Sequence, residues 1–531
     1  MLTWHFCPTT HTQLLASLNS IIYGIIYGGL TNPKLLSYHQ INDSVALIHS
    51  IRQSFLRLYT TMITKMALPT TIEKLDIDVL QNILARLSAV DFASADCVSR
   101  SWNHVCSRIL CRPKFASACS NNPSLLVAIE EVANEVLSKL IRPQFAILSV
   151  GSLFSMQEAF QLITTKLSSK IPVIVNWSSG FIGRDAFYEE FKKIPKLESG
   201  IRGIVLTVGC VPGMKVKSIS LQKQVEEHPQ DFMIDKFVTD IWEFSTSISG
   251  RQSPAALMIF SREHPHVGIN TVEKLDYAMS PETVVVGGFC YDFRHTATEE
   301  LACDAVALVF VADRNKPPGI GETKFHAALS SGLSPVGPTY RVDSVTEKYG
   351  CMAHLIVHRE GPFEATEMEE LSTMYIGVTK RRKCSVGQEK EKWMTSLAFH
   401  RILSTGTDNE YFLVEDVGVK TGDTFQCYLT DSNTARSSTD SVSNLVRSFN
   451  GSDKWEVSGG LIFASMHRGQ PNGDSSLFLE NLPGVTFAGT MCLGEMWRGD
   501  LIPQESQEQK SAQGCFLHRY NAVYLVMSYA P

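Results

Sequence analysis

Apolar side chains recur at helical spacings in one short segment, residues 75–109, and this pattern predicts amphipathic helices. The first predicted helix carries one wide apolar stripe, formed by Leu75, Val79, Leu80, Ile83, Leu84 and Leu87. Asp78, followed by Gln81 at capping-box spacing, is the predicted N-cap. Residues 89–91 then interrupt the helix, so the segment predicts a small helical module rather than one long helix.

The end of this segment adds a second pattern, Val98-Ser99-Arg100-Ser101-Trp102-Asn103. Stripe and ending together resemble the F-box family, although Asp76 stands where that family usually has the proline of its Leu-Pro entry. The resemblance implies a helical module that binds a Skp-family adaptor and, through it, a cullin and a RING subunit. The implied adaptor contacts are Leu75, Val79, Leu80, Ile83, Leu84, Leu87 and Trp102. The alternative interpretation is an ordinary amphipathic helical hairpin.

From residue 144 onward, short β-branched runs alternate with amphipathic segments, which predicts mixed or parallel sheets with helical crossovers. The predicted strands are residues 145–150, 172–177, 204–208, 256–260, 283–287 and 305–311, and the predicted helices are residues 156–167 and 232–248. After residue 340 the same alternation of short apolar runs and amphipathic segments continues, in segments 352–358, 367–376, 392–403, 411–414 and 424–429. Residues 431–453 are predicted to be a surface loop around a short helix. The predicted fold class is therefore mixed α/β, following a small all-α module.

Five glycine-punctuated segments follow one another in a fixed order: residues 172–180, 284–289, 333–338, 463–469 and 487–495. They resemble the landmarks of the FIST sensory domain, with departures at Ser465 and Trp497. The resemblance implies an amino-terminal FIST half over residues 124–341 and a carboxy-terminal half with a tail over residues 342–531. Nothing recurs at the period of leucine-rich repeats, so the sequence does not predict them.

The first 33 residues contain no Lys, Arg, Asp or Glu, unlike the rest of the chain. A signal peptide would have a basic start, and a membrane-spanning helix would be more uniformly apolar. The favoured interpretation is that residues 1–65 are a poorly ordered or spurious extension and that Met66 is the functional start. Residues 66–123 then comprise the F-box and a linker.

Composition excludes several function classes. With 44% hydrophobic and 19% charged residues and a net charge of −6, the chain is typical of globular proteins and has no basic surplus for nucleic acid. Its 13 cysteines form no C-x-x-C pair, which excludes a local zinc ribbon and favours buried thiols in the cytoplasm and nucleus. The basic cluster at residues 380–383 is either a nuclear address or, as favoured here, a solvated loop.

No catalytic signature is complete. The turn at residues 317–324 lacks the spacing of a phosphate loop, and residues 332–336 lack the second glycine of a nucleophile elbow. His264-Pro265-His266 predicts an exposed loop rather than a metal site. We therefore expect no enzyme activity, metal or cofactor.

Two glycine-flanked charged residues, Arg468 and Glu495, are the candidates for binding a small zwitterion. The candidate ligand-binding set is Arg468, Gly469, Gly489, Gly494 and Glu495. The alternative, slightly favoured, is that the two charges pair with each other or with loop backbone and only stabilise the fold.

The expected function is the substrate-recognition subunit of a Skp–cullin–F-box ubiquitin ligase, which directs an unknown target to ubiquitination and proteasomal degradation. The FIST halves would bind the target, with a small ligand as a further partner and no nucleic acid or membrane. The alternative is a ligand-sensing FIST protein without a ligase role.

Overall fold

The computed structural model describes residues 76–87, 89–184, 191–194, 200–223, 230–262, 265–296, 303–348, 352–360, 374–406, 411–415, 418–450, 455–466, 468, 482, 485–499, 514–518 and 520–531. The chain divides into two compact units, residues 1–109 and 110–531. Residues 1–65, predicted as an extension, and Leu75 lie outside the described residues.

Three helices make up the described part of the amino-terminal unit: α1 (Ile77–Leu84), α2 (Ala89–Asp96) and α3 (Arg100–Leu110). The Asp76 carboxylate accepts a hydrogen bond from the Asp78 backbone N–H at 3.1 Å, so Asp76 is the N-cap of α1 and the prediction of Asp78 was wrong. Asp78 instead lies in the first turn, where the helix dipole favours an acidic side chain. Ser99 caps α3 in the same way, because its hydroxyl accepts from the Trp102 N–H at 3.2 Å.

Each of these helices turns one apolar face inward. The buried side chains are Leu80 and Leu84 on α1, Phe92 and Ala95 on α2, and Val105, Cys106 and Ile109 on α3. The Asn103 side-chain amide donates to the Asp96 carboxylate at 3.0 Å and so links α3 to α2. The predicted helical module is therefore present.

The carboxy-terminal unit begins with a five-stranded sheet in the order β1-β6-β2-β3-β10. Its strands are β1 (Lys114–Ser120), β2 (Phe145–Gly151), β3 (Val173–Ser178), β6 (Ile204–Cys210) and β10 (Phe293–His295). Helices α4 (Leu125–Ser138) and α5 (Met156–Lys166) cover one face, and α5 connects the parallel strands β2 and β3. Strand β1 lies in the interval predicted as a linker.

A second sheet runs through the whole unit in the order β15-β18-β13-β14-β17-β16-β22-β21-β9-β8-β11-β7. Its strands are β7 (Met214–Gln222), β8 (Ala256–Arg262), β9 (Val284–Cys290), β11 (Cys303–Ala312), β13 (Leu333–Lys348), β14 (Met352–Glu360), β15 (Met374–Cys384), β16 (Lys392–Thr405), β17 (Tyr411–Glu415), β18 (Thr424–Thr430), β21 (Gly494–Gly499) and β22 (Gly514–His518). Helices α6 (Gln230–Ser249) and α7 (Pro265–Ala278) cover one face of its β7–β9 end.

At the other end of this sheet, β15 also pairs with β16, which closes six strands into a barrel. The barrel has its own core, in which Tyr340 stacks on Phe425 at a ring-centroid distance of 5.1 Å and Phe412 meets both rings edge-on at 5.3 Å. Closure removes the unpaired edges that β15 and β16 would otherwise expose.

A third sheet has the order β12-β23-β19-β20-β4-β5. Its strands are β4 (Phe181–Arg184), β5 (Phe191–Ile194), β12 (Glu322–Ser330), β19 (Glu456–Ser465), β20 (Phe487–Cys492) and β23 (Ala522–Ala530). Helix α8 (Ser432–Asn450) packs on one face through Val442 and Val446. The prediction of a loop with a short helix at residues 431–453 was therefore wrong, because residues 435, 442 and 446 form a buried stripe among many serines.

The inner faces of all three sheets meet in one central core that includes Phe145, Phe260, Phe310 and Phe463. Strands on either side of residue 342 share sheets: β4 pairs with β20, β9 with β21 and β12 with β23. The predicted boundary between two FIST halves falls inside β13. The six strands and two helices predicted before residue 340 are confirmed, with ends shifted by a few residues.

The barrel core gives a direct test of this architecture. Replacing the fully buried Phe412 with Ala should lower the free energy of unfolding by about 3–5 kcal/mol, because it leaves a cavity among packed rings. Tyr411→Ala, at a 40% exposed neighbour on the same strand, should cost less than about 1 kcal/mol. Urea denaturation of both variants measures the difference; equal effects would contradict a closed barrel around Phe412.

Candidate functional site

The amino-terminal unit exposes several large apolar side chains. Ile77, Val79 and Ile83 on α1 are 47%, 49% and 48% exposed, and Val90 and Val98 are also exposed. These five are among 14 exposed large hydrophobic residues in the whole described chain, although the unit contributes few of the described residues. A concentration of this kind is typical of a protein-binding surface.

The predicted adaptor contacts fall into two groups. Val79 and Ile83 lie one helical turn apart, and about half of each side chain is exposed to solvent. Leu80 and Leu84, in contrast, are 4% and 0% exposed and belong to the interior of the chain. Leu80 and Leu84 are thus the buried members of the predicted contact set, and Val79 and Ile83 are its exposed members. Leu87 and Trp102 are half-buried. Ile77, which lies three residues before Leu80 and seven before Leu84, was not included in the predicted stripe.

Arg468, the first candidate ligand-binding residue, is buried and held by the protein itself. Its guanidinium donates to the Ser330 carbonyl at 2.5 Å and the Ser330 hydroxyl at 2.6 Å. It also donates to the Thr439 hydroxyl at 3.1 Å and the Ala435 carbonyl at 3.5 Å, both on α8. Arg468 thus joins α8 to the end of β12, as the structural alternative predicts.

Glu495, the second candidate, is fully buried on β21, opposite Gly288 of β9. Burial, followed by the charge of Glu495, raises the pKa of the Cys492 thiol well above its usual range. Gly489 and Gly494 lie on β20 and β21, and Gly469 lies outside the described residues.

The landmark glycines accommodate neighbouring protein atoms. A side chain at Gly287 would lie 2.0 Å from the Ile259 carbonyl oxygen, one at Gly288 would lie 2.3 Å from the Cys492 sulfur, and one at Gly489 would lie 2.8 Å from the Ile462 carbonyl oxygen. Glycine is required there because strands approach closely.

A buried polar network links two of the landmark strands, β3 and β20, and the neighbouring strand β2. Ser149 donates to the Asn176 side-chain oxygen at 3.1 Å, and the Asn176 amide donates to the Thr490 hydroxyl at 3.2 Å. The Thr490 hydroxyl donates to Ser178 at 2.8 Å, and the Ser178 hydroxyl accepts from the Met491 N–H at 3.0 Å. The structure thus brings segments 172–180 and 487–495 together, and their polar side chains bond to one another.

One buried His–Cys pair, formed by His295 on β10 and Cys303 on β11, was not predicted from the sequence. His295 Nε2 lies 3.2 Å from the Cys303 sulfur. Burial lowers the pKa of His295 to about 4, and burial is also the main cause that raises the pKa of Cys303 to about 11. Both groups are therefore neutral near pH 7, so this pair does not supply the thiolate that nucleophilic catalysis requires.

Two further predictions are corrected. Residues 380–383 belong to strand β15, where Lys380 is buried and Arg382 makes two hydrogen bonds to the Asp423 carboxylate at 2.6 and 2.7 Å, so they are not a solvated loop.

Pro265 begins helix α7, a position where its missing N–H costs nothing, so the His-Pro-His segment is not simply a loop. His264 lies outside the described residues.

Within the described ranges, no three His, Cys, Asp or Glu side chains are grouped to hold a metal ion. In the same part of the chain, no helix combines the length and apolar character needed to cross a membrane.

Comparison with known proteins identifies the helical segment that carries the exposed surface of α1. Residues 72–113 match the F-box domain family. Over 511 residues the chain is 38% identical to an F-box/LRR-repeat protein of Arabidopsis thaliana, covering 88% of this chain and 96% of that relative. The chain belongs to the F-box protein family. F-box domains bind Skp-family adaptors within ubiquitin ligase complexes, and F-box proteins are generally non-catalytic adaptors there.

The relative's name includes leucine-rich repeats. In the described part of this F-box protein most strand pairings are antiparallel, and they form a barrel and two further sheets around a shared core. A leucine-rich repeat array would instead stack one strand per repeat along a horseshoe.

The contacts of Arg468 predict a structural role. Arg468→Ala should lower the free energy of unfolding by about 2–4 kcal/mol, because buried hydroxyl and carbonyl acceptors lose a charged donor. Arg447→Ala, on the exposed side of α8, should change it by no more than about 0.5 kcal/mol. Chemical denaturation compares them. A folded Arg468→Ala protein of unchanged stability that loses binding of a zwitterion would restore the ligand interpretation.

His295 predicts a pH dependence of stability. Its pKa is about 4 in the folded protein against 6.5 normally, so protonation favours the unfolded chain. The stabilisation is complete above pH 6.5 and should decrease by up to about 3 kcal/mol as the pH falls toward 4. Unfolding free energies of the wild type and His295→Gln should converge over this range; parallel curves would show that His295 does not titrate there.

Proposed function

We propose that this protein is the substrate-recognition subunit of a Skp–cullin–F-box ubiquitin ligase. The observation that carries the proposal is the exposed apolar surface of α1, with Val79 and Ile83 one turn apart. An exposed amphipathic helix of this kind binds by laying its apolar side chains into a hydrophobic groove. The groove belongs to the Skp-family adaptor, which brings the cullin and the RING subunit.

The second unit, residues 110–531, supplies target recognition in this proposal. Its central core and covering helices make a rigid body. A rigid body that holds a target beside a charged ubiquitin-conjugating enzyme raises the effective concentration of the target's lysines without chemistry of its own. The expected outcome is ubiquitination and proteasomal degradation of the target, in the cytoplasm and nucleus.

We assign this unit to the FIST type. Support comes from the five glycine-punctuated segments, three of which contribute strands that contact one another at the sheet junction. A ligand-sensing role without ligase function is less favoured, because Arg468 is bonded to Ser330 and Thr439 and the landmark glycines contact protein atoms.

The adaptor-binding surface is tested by charge substitution at its exposed residues. Val79→Asp combined with Ile83→Asp should abolish capture of a Skp-family adaptor, by about a hundredfold or more, because each carboxylate would lose water in an apolar groove. Leu80 and Leu84 are unsuitable for this test, because substituting a buried residue would disturb folding.

Leu126→Asp combined with Val127→Asp is the matched control. These residues are 48% and 39% exposed on α4, in the other unit, and their replacement should leave adaptor capture unchanged. Co-purification with the adaptor and circular dichroism are measured on both double variants. Undiminished capture by the folded Val79/Ile83 variant would contradict the proposal.

A further inference from the structure

A groove of about 540 Å³ follows the outer edge of strand β7, beside helix α6. Strand β7 is the last strand of the largest sheet, and it pairs with β11 on one side and with no described strand on the other. Its sequence, MKVKSISLQ, contains neither proline nor glycine, and its register with β11 is regular from Met214 to Leu221. Strand β7 therefore presents a long, regular edge, which is a template for pairing with another strand.

The register of β7 decides which of its residues face this edge. Gly213 O accepts from Asp313 N at 2.9 Å, so Gly213 faces β11, and antiparallel pairing then alternates along the strand. Val216, Ser218 and Ser220 therefore direct their backbone N–H and C=O groups outward, away from β11.

A second β7, placed antiparallel, matches these outward groups. A two-fold axis at Ser218 sets Ser218 opposite Ser218 and Val216 opposite Ser220 of the other copy. Each facing pair exchanges two bonds, so the three pairs form about six backbone hydrogen bonds. Met214 lies beyond this set, and its carbonyl already accepts a hydrogen bond from the Gln144 side chain at 3.2 Å.

The lysines of β7 restrict how the second copy can pair. Parallel pairing in register would set each lysine beside itself, and directly opposed like charges are destabilising. The two-fold axis at Ser218 instead sets Lys217 opposite Ile219 and Lys215 opposite Leu221. Lys215 is also ion-paired within its own chain. The lysines therefore disfavour open-ended parallel stacking and allow the antiparallel pair.

The charges of the groove are balanced, as a surface that meets its own copy requires. Two basic and two acidic residues line the groove. Lys236 pairs with Asp240 at 2.7 Å, which leaves Lys217 and Glu243, one charge of each sign. In a two-fold interface the same patch occurs on both copies, so each sign meets a surface that also supplies the opposite sign.

We propose that β7 pairs antiparallel with β7 of a second copy of this chain, so that the largest sheet continues through a two-fold axis at Ser218. Each copy has one β7 edge to offer, so the assembly closes at two chains. The dimer carries two F-box surfaces. The pairing does not depend on the ligase role.

The oligomeric state of the full-length protein tests the pairing. Sedimentation velocity over a range of protein concentrations should show a monomer–dimer equilibrium. Ser220→Pro removes one outward N–H from each copy while the ladder to β11 keeps its bonds. The dimer then loses two hydrogen bonds, and its dissociation constant should rise at least about tenfold. Ser220→Ala keeps the N–H and should stay within about twofold of the wild type.

Circular dichroism accompanies these measurements. A wild type that remains monomeric at every concentration would overturn the proposal. So would a folded Ser220→Pro protein that dimerises as the wild type does.

A second measurement tests the register without proline. Ser218→Cys places two sulfurs across the axis, where facing Cα atoms lie about 5.5 Å apart, within the range of a disulfide. Val216→Cys is the matched control, because Val216 faces Ser220 and lies about 13 Å from Val216 of the other copy. After mild oxidation with oxidised glutathione, non-reducing electrophoresis should show several times more covalent dimer for Ser218→Cys than for Val216→Cys or the wild type. Equal yields would reject pairing about Ser218.

Discussion

The fold depends on one segment, residues 487–499, which leaves one sheet and enters another. Its first part, β20, pairs with β19 and β4, and its second part, β21, pairs with β9 and β22. At the corner, Leu493 N donates to the Phe289 carbonyl and Cys492 O accepts from Met466 N, each at 2.9 Å. This crossing holds the third sheet against the largest one and so closes the central core.

Close approach at that corner explains two of the glycines in the landmark segment 284–289. A side chain at Gly288 would meet Cys492, and one at Gly287 would meet the backbone of β8. Arg468 and the polar network through Asn176, Ser178 and Thr490 are likewise bonded within the protein, since buried polar groups are costly unless paired. The junction is best understood as a structural centre, and recognition is assigned to exposed surfaces away from it.

The two units differ in how much of their apolar surface is exposed to water. The amino-terminal unit leaves Val79 and Ile83 in water, which is unfavourable unless a partner covers them. The second unit buries its apolar surface between sheets and under helices and closes six strands into a barrel, yet it leaves the outer edge of β7 without a described partner strand. Adaptor binding therefore uses apolar burial.

The sequence by itself determined the local elements. Residues 145–150 and 256–260 were predicted as strands because they are short, continuously apolar runs, and residues 232–248 as a helix because their apolar residues recur at helical spacing over a longer segment. The order of apolar and Ser-Arg-x-Trp residues likewise indicated the F-box. Only the tertiary structure decided that Leu80 is interior while Val79 is exposed, that β4 pairs with β20 across some 300 residues, and that Arg468 bonds to Ser330. These outcomes depend on contacts between distant segments, and local spacing carries no information about which segments meet.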